Sequence, residues 1–197
     1  MLADLTSEKQ TMSGSLQYRC ATDADFLAIL DLQRQNLRWN LSEADQQQGF
    51  LSVEYAERDL PAINADLGIY VAVEGAQLHA YAVAQTADAA QSVPLLAQMM
   101  SSFTDAKFVT EPVADLSYFI YGPVCIARTQ RGRGILGGLL RAMSKQLASR
   151  FDLGIAFIAQ SNLHSYQAHV RKNNLAVIDE FEFNEQRFWT VAFSLTH

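Results

Sequence analysis

Residues 128 to 138 read RTQRGRGILGG. They follow a strand-like run, LSYFIYGPVCIA at 116 to 127, and lead into Ile135, Leu136, Leu139, Leu140, Met143 and Leu147, which recur at helical spacing. A strand, a glycine turn and a buried-face helix from about Gly134 to Ser149 must therefore follow one another without a gap. Glycine lets backbone N–H groups approach a ligand with no Cβ in the way. The open first turn of the helix adds unpaired donors and a dipole worth roughly +0.5 charge, so the arrangement suits a phosphate.

Gly132, Gly134 and Gly137 spell G-x-G-x-x-G, the spacing of a nicotinamide-binding turn, but the context does not fit one. That fold needs an acidic residue about 20 positions on, at the end of the next strand, to hold the ribose. Asp152 has the right count yet precedes the strand GIAFIA, which runs on into Gln160 and Ser161 with no carboxylate. About 45 residues remain beyond Asp152, too few for the further strand–helix units of a doubly wound sheet.

Charge makes the same region stand out. The net charge of -6 argues against nucleic-acid binding, which demands a basic surface. Between Asp115 and Asp152 there is no acidic residue, while Arg128, Arg131, Arg133, Arg141, Lys145 and Arg150 all fall there. Arg131 and Arg133 beside the glycines put positive charge at a helix N-terminus, where the dipole disfavours it unless an anion offsets it. A small anionic ligand carrying several phosphates would do so; a solvated basic helix face is the other reading.

The rest of the chain yields an ordered set of elements. Leu16 to Cys20 is a short strand, and Thr22 with Asp25 reads as a capping pair ahead of the helix DADFLAILDLQRQNL. That helix carries Phe26, Ile29, Leu30, Gln33 and Leu37 on one stripe, apolar except at Gln33. A second helix is expected through SVEYAERDLPAIN, bent or broken at Pro61. GIYVAVEGAQLHAYAVAQ reads as a hairpin turning at Glu74-Gly75, and residues 87 to 115 as a long connection with a helix in VPLLAQMMSSF. Gly122-Pro123 interrupts its strand and suggests a bulge. NLHSYQAHVRKN is a short helix, and AVIDEFEF, Asn184-Glu185 and QRFWTVAF form a closing hairpin. The fold class expected is α/β, with a mixed, mostly antiparallel central sheet of about seven strands flanked by helices.

The segment IARTQRGRGILGGLL resembles the acyl-CoA loop of the GNAT acetyltransferase superfamily, whose pattern is Gln/Arg-x-x-Gly-x-Gly/Ala followed by a helix. The order of elements extends the resemblance from Leu16 onward, most strongly over residues 117 to 183. It implies that acetyl-CoA is the acyl donor and an amine the acceptor. It implies further that the backbone of Val124, Cys125 and Ile126 pairs with the pantetheine arm, and that the amides of Arg131, Gly132, Arg133, Gly134, Ile135 and Leu136 cradle the pyrophosphate. Family members often carry Asn at the start of the helix after the next strand, a small residue three later and Tyr seven later. Asn162, Ser165 and His169 stand at those places here, on one helical face. His169 replaces the Tyr, commonly taken to protonate the departing thiolate, and an imidazolium could do the same with a pKa nearer neutrality.

Three departures accompany the match. Thr129 occupies the Gln/Arg position, Asn173-Asn174 replaces the usual Gly-Phe, and the stretch from Leu116 to Ile126 contains no carboxylate to serve as general base. Tyr118 and Tyr121 are its titratable oxygens, and no base is assigned. Trp39, Glu54 and Tyr55 fall in the region that lines the acceptor pocket in GNAT folds. His79 is expected to be an exposed strand residue, and His164 lies off the Asn162 face. The missing carboxylate and the replaced Tyr leave a non-catalytic acyl-CoA-binding or sensing module as the alternative to an enzyme.

At 197 residues and 49% hydrophobic the chain suits one core, expected over residues 16 to 197 behind a patternless tail at 1 to 15. No run approaches the ~18 apolar residues of a membrane span, and the opening lacks the regions of a signal peptide. A soluble, cytoplasmic protein is expected, with Cys20 and Cys125 reduced, no metal ligand pattern, no membrane or nucleic-acid partner, and a homodimer as the assembly the resemblance allows.

Overall fold

The structure, a computed structural model, describes residues 15 to 195; the tail expected at 1 to 15 lies, apart from Ser15, outside them. The elements are β1 (Gln17–Cys20), α1 (Phe26–Arg34), α2 (Glu43–Gln46), α3 (Leu60–Asp66), β2 (Ile69–Glu74), β3 (Gln77–Thr86), α4 (Ala87–Ala90), α5 (Pro94–Ser101), β4 (Lys107–Phe108), β5 (Glu111–Pro112), β6 (Tyr118–Ile126), α6 (Ile135–Leu147), β7 (Leu153–Ala159), α7 (Leu163–Tyr166), β8 (Ala176–Phe183) and β9 (Gln186–Ser194). Seven strands form one sheet in the order β1-β2-β3-β6-β7-β9-β8, and β4 and β5 make a separate small hairpin. The pairings in the large sheet are antiparallel except for β6 with β7. The sheet is thus mixed and mostly antiparallel with helices on both faces, as expected from the sequence. This strand order is incompatible with a doubly wound nicotinamide fold.

Alternation along the strands sends side chains to two cores. Tyr70, Ala72, Phe119, Tyr121, Ala156 and Ile158 pack under α6 on one face. On the other, Val71, Val73, Tyr81 and Cys125 meet α1 and α3, while Ile120, Leu153 and Ile155 meet α5 and its neighbours. With both faces covered, β3 is almost wholly buried and its alternation in the sequence says nothing about exposure. His79, expected at the surface, is for this reason only 3% exposed, with Nε2 3.5 Å from Glu74 Oε2.

Local chemistry explains the element ends. The Asp25 carboxylate accepts from the Thr22 backbone N–H at 2.7 Å and hydroxyl at 2.9 Å, and takes both guanidinium nitrogens of Arg19. Those partners, the Arg19 hydrogen bonds first, hold the carboxyl down to about 2 and lock the turn from β1 into α1. The helix expected from residue 52 begins only at Leu60, because Pro61 lacks an N–H and is harmless only in a first turn. Residues 52 to 56 are instead irregular. The first hairpin turns on Gly75 and Ala76, one place later than expected, with Gly75 at φ 60. Asn184 and Glu185 both hold positive φ, 50 and 60, which sets the tight β8–β9 turn.

Gln33, the polar break in the α1 stripe, is buried at 1% exposure. Its side-chain amide donates to the Tyr55 carbonyl at 2.9 Å and accepts from the Tyr55 N–H at 3.0 Å. One amide side chain therefore stands in for a strand partner and holds the irregular segment against α1.

Gly154 on β7 lies beneath aromatic rings: a Cβ there would sit 2.3 Å from Phe193 Cε1 and 2.9 Å from Phe119 Cζ. Gly154→Ala should destabilise the protein by about 1 to 3 kcal/mol, since overpacking forces the rings off their positions. The check is the midpoint of urea unfolding followed by circular dichroism, which should fall relative to wild type.

Candidate active site

The parallel ladder between β6 and β7 lasts three residue pairs, Tyr118–Leu153, Phe119–Gly154 and Ile120–Ile155. Beyond them β6 continues to Ile126 paired with β3, and β7 continues to Ala159 paired with β9. The two strands part. The β6–β3 register shifts between Ala82 and Ala84, opposite the cis Gly122-Pro123 bond, so the bulge expected there is where the parting begins.

A cavity partly open to solvent fills the wedge. It reaches both faces of the sheet: Ser165 and His169 line it from the α6 side, Leu95 and Leu96 of α5 from the other. A second cavity shares Phe50, Leu51, Val124, Asn162, Ser165 and His169 with the first. It extends past Cys125 and Ile126 to Arg131 and Leu136 at the glycine loop. The loop and the wedge are two ends of one cleft.

At the loop, Gly134 caps α6 at φ 74 and Gly132 holds φ 80, left-handed conformations that suit glycine. A Cβ at either would meet nothing within 4 Å. Gly137 and Gly138 serve packing instead: a Cβ would come 2.7 Å from Asn173 Oδ1 at the first and 2.1 Å from the Tyr18 ring at the second. The three glycines of the motif thus divide into two facing open space and one packed against Asn173. Asn174 adopts φ 57, the conformation a glycine would otherwise supply, so asparagine keeps that turn.

The arginines are already partnered in part. Arg131 donates to the Ile126 carbonyl at 3.3 Å, to the Gln48 carbonyl, and to Asn36 Oδ1 at 2.9 Å. Its guanidinium ties the loop to the segment after α1, and burial lowers its pKa. Arg128 pairs with Asp45 at 2.8 Å, and Arg133 donates to Gln130 Oε1. The charge that suggested an anion in the sequence is therefore partly offset by the protein itself.

Val124 and Ile126 pack toward α6, whereas the Cys125 side chain points into the opposite core, 3.8 Å from the Leu32 carbonyl. Burial pushes its thiol up to about 12, so only its backbone belongs to the cleft.

Asn162, Ser165 and His169 do come together. Asn162 Oδ1 accepts from the Ser165 N–H at 3.1 Å as the cap of α7, and its Nδ2 lies 3.4 Å from the Phe50 carbonyl. The helix then widens into a π turn over Gln167–Arg171, whereas a regular helix was expected. His169 Nδ1 lies 2.8 Å from the Ser165 carbonyl, which can only accept, so that nitrogen carries the proton. Nε2 is left as the unprotonated ring nitrogen. The ring stacks on Tyr121 with centroids 6.0 Å apart.

This environment corrects the expectation of an imidazolium acid. His169 is buried, and desolvation lowers its pKa to about 4, the Ser165 carbonyl opposing only in part. At neutral pH the ring is uncharged and Nε2 has no proton to give. Tyr121 is buried with a hydroxyl lacking a hydrogen-bond partner, and burial raises its pKa well above the phenol value. Of Trp39, Glu54 and Tyr55, Tyr55 alone lines the cleft; Trp39 is 60% exposed. Asn36, Gln48 and Phe50 line the loop-side cavity and were not singled out by the sequence, and His164, set aside there as lying off the Asn162 face, lines it too. Only their nearness to Arg131 in space relates them.

No family model and no curated protein matches the sequence. Solved structures do match. An N-acetyltransferase from Staphylococcus aureus is 16% identical, with 93% of this chain and 100% of that chain covered at a TM-score of 0.58. A Salmonella typhimurium protein assigned as an acetyltransferase, solved with its cofactor acetyl-CoA, is 13% identical over 93% of this chain and 96% of that chain, TM-score 0.61. A ribosomal-protein-alanine N-acetyltransferase from Brucella melitensis is 18% identical over 91% and 99%, TM-score 0.58. The chain shares the fold of these structures, the GNAT fold that the sequence resemblance implied. Among the described residues there is no helix long and apolar enough to cross a membrane, and no cluster of His, Cys, Asp or Glu fit to hold a metal.

The buried neutral His169 has a measurable consequence. Its pKa is near 4 folded against 6.5 unfolded, so between those values the unfolded chain binds more protons and stability rises with pH. Acidifying from pH 7 should therefore lower Tm through this window, and His169→Phe should remove that share of the loss. A wild-type-minus-variant Tm difference that stays constant from pH 7 to about 4.5 would mean the ring is not held neutral.

Proposed function

We propose that the protein is an acyltransferase that moves an acetyl group from acetyl-CoA to an amine. The observation that carries this reading is the parting of β6 and β7 directly before a glycine loop whose Gly132 and Gly134 face open space. Strand edge, loop amides and cavity then lie in the order in which acyl-pantetheine, pyrophosphate and acceptor would occupy them.

The N–H groups from Arg131 to Leu136, at the head of the 13-residue helix α6, would receive the pyrophosphate. The freed edge of β6 over Val124, Cys125 and Ile126 offers backbone groups to the amides of the pantetheine arm, in the manner of an added strand. An acceptor in the wedge would then attack the thioester carbonyl directly. The C–S bond breaks, the thiolate leaves and takes a proton from water, and the amine nitrogen loses one. Most of the acceleration in such a site comes from holding two substrates in line and from N–H donors near the developing oxyanion. Asn162 and Ser165 act here as braces of α7 that fix His169, and His169 shapes the wall without donating a proton.

One observation favours the non-catalytic alternative: among the described residues, the groups lining the wedge include no carboxylate and no charged acid at neutral pH. A binding or sensing module would keep the loop and need neither.

CoA and acetyl-CoA should raise Tm while NAD does not, since a ligand bound only by the folded form stabilises it by about 2.7 kcal/mol at a hundredfold excess over Kd. Gly134→Val should abolish that rise in a protein whose circular dichroism stays native. An added Cβ meets no protein atom within 4 Å, yet a branched side chain strains a left-handed residue and fills the approach to the loop amides. A Tm rise with NAD alone, or one undiminished in the variant, would overturn the assignment of the loop. Thiol release from acetyl-CoA across classes of amine separates enzyme from module.

A further inference from the structure

The wedge cavity between β6 and β7 carries no charge. Among the described residues its lining has no Asp, Glu, Lys or Arg, and its polar side chains are Ser52, Tyr55, Tyr121, Asn162, Ser165 and His169. Each is neutral near pH 7: burial pushes Tyr55 up to about 12, raises Tyr121 well above the phenol value and holds His169 down to about 4. Asn162, Ser165 and His169 Nδ1 already bond to one another or to backbone. The remaining wall is apolar, with Leu95 and Leu96 from α5 facing Phe157 from β7.

Such a wall discriminates by charge. An alkylamine is an ammonium at neutral pH, and an unpaired ammonium entering this wall gives up hydration with no partner in return. It must also lose a proton before its nitrogen can attack, and the unprotonated nitrogen in the lining, His169 Nε2, is with a pKa of about 4 too weak a base to take it from an alkylammonium. A carboxylate on the acceptor would likewise enter with no cation to meet it. An aromatic amine escapes both penalties. Its lone pair is delocalised into the ring, so it is unprotonated at neutral pH, and its flat apolar body fits walls of leucine and phenylalanine.

We propose that the acceptor is an aromatic amine without a carboxylate, seated in the uncharged cavity between the parted strands. This rests on the acyl-transfer reading above and narrows it. The amine nitrogen forms the new C–N bond to the acetyl carbon, the C–S bond breaks, and water carries the proton from nitrogen to the CoA thiolate.

The test uses the full chain, acetyl-CoA and three acceptors: 4-methylaniline, 4-methylbenzylamine and 4-aminobenzoate, with thiol release and the mass of the amide product as readouts. The benzylamine keeps the apolar body and restores a strongly basic amine; the aminobenzoate keeps the aromatic amine and adds a carboxylate. The expected result is kcat/KM for 4-methylaniline at least about tenfold above either. Its profile should be flat from pH 6.5 to 8.5, since no group in the cavity titrates there. Preference for 4-methylbenzylamine or 4-aminobenzoate, or acetylation of other amine classes with none of 4-methylaniline, would overturn this proposal and leave acyl transfer standing. No amide from any amine, with CoA still raising Tm, would overturn acyl transfer and the aromatic acceptor with it.

Discussion

The cleft exists because a parallel ladder stops after three pairs. Past Ile120 and Ile155, β6 stays with β3 and β7 stays with β9, and each strand keeps its outer partner while losing the inner one. Backbone groups on the facing edges then lack a partner strand, in a region flanked by two hydrophobic cores. Cavity, strand edge and glycine loop all follow from that separation. The loop begins where β6 ends, and α6 starts with its open amides at the same place.

Keeping the wedge open requires supports, and polar side chains supply them. Gln33 holds Tyr55 by two hydrogen bonds, the Leu51 N–H donates to the Asn36 carbonyl at 2.8 Å, and Arg131 reaches Asn36 and Gln48 from the loop. The segment from Gln48 to Tyr55 is thereby strung between α1 and the loop, although it has little regular structure of its own. Asn162 braces the same segment from the other side through the Phe50 carbonyl. A buried amide satisfied at both ends contributes rigidity that an apolar residue could not, because it leaves no backbone donor or acceptor unpaired.

Burial decides the electrostatics of the site. His169 in water would titrate near neutrality, and in the wall of the wedge it falls to about 4. Tyr121, Tyr55 and Cys125 all move upward for the same reason. The cleft therefore carries the Arg131 cation in its wall at the loop end and is neutral in the wedge. Such a gradient orients a ligand that is anionic at one end and apolar at the other.

The sequence by itself determined the elements and the loop. Apolar spacing from Ile135 to Leu147, the alternation of period at Ile69, and the left-handed demands at Gly132 and Gly134 are local properties, set within a few residues by sterics and side-chain period. What it misjudged was decided at a distance. His79 was expected outside and is buried because helices cover both faces of β3; residues 52 to 56, expected in a helix that Pro61 lets begin only at Leu60, are irregular backbone held to α1 by Gln33 through Tyr55. The protonation of His169 depends on how completely Tyr121 and the strands around it exclude water. Which residues meet in the wedge, Phe50 with Val124 or Leu96 with Phe157, depends on strands parting after three pairs. Local sterics act through neighbours in the chain, whereas dielectric and cavity shape are properties of the assembled layers, and only the tertiary structure contains them.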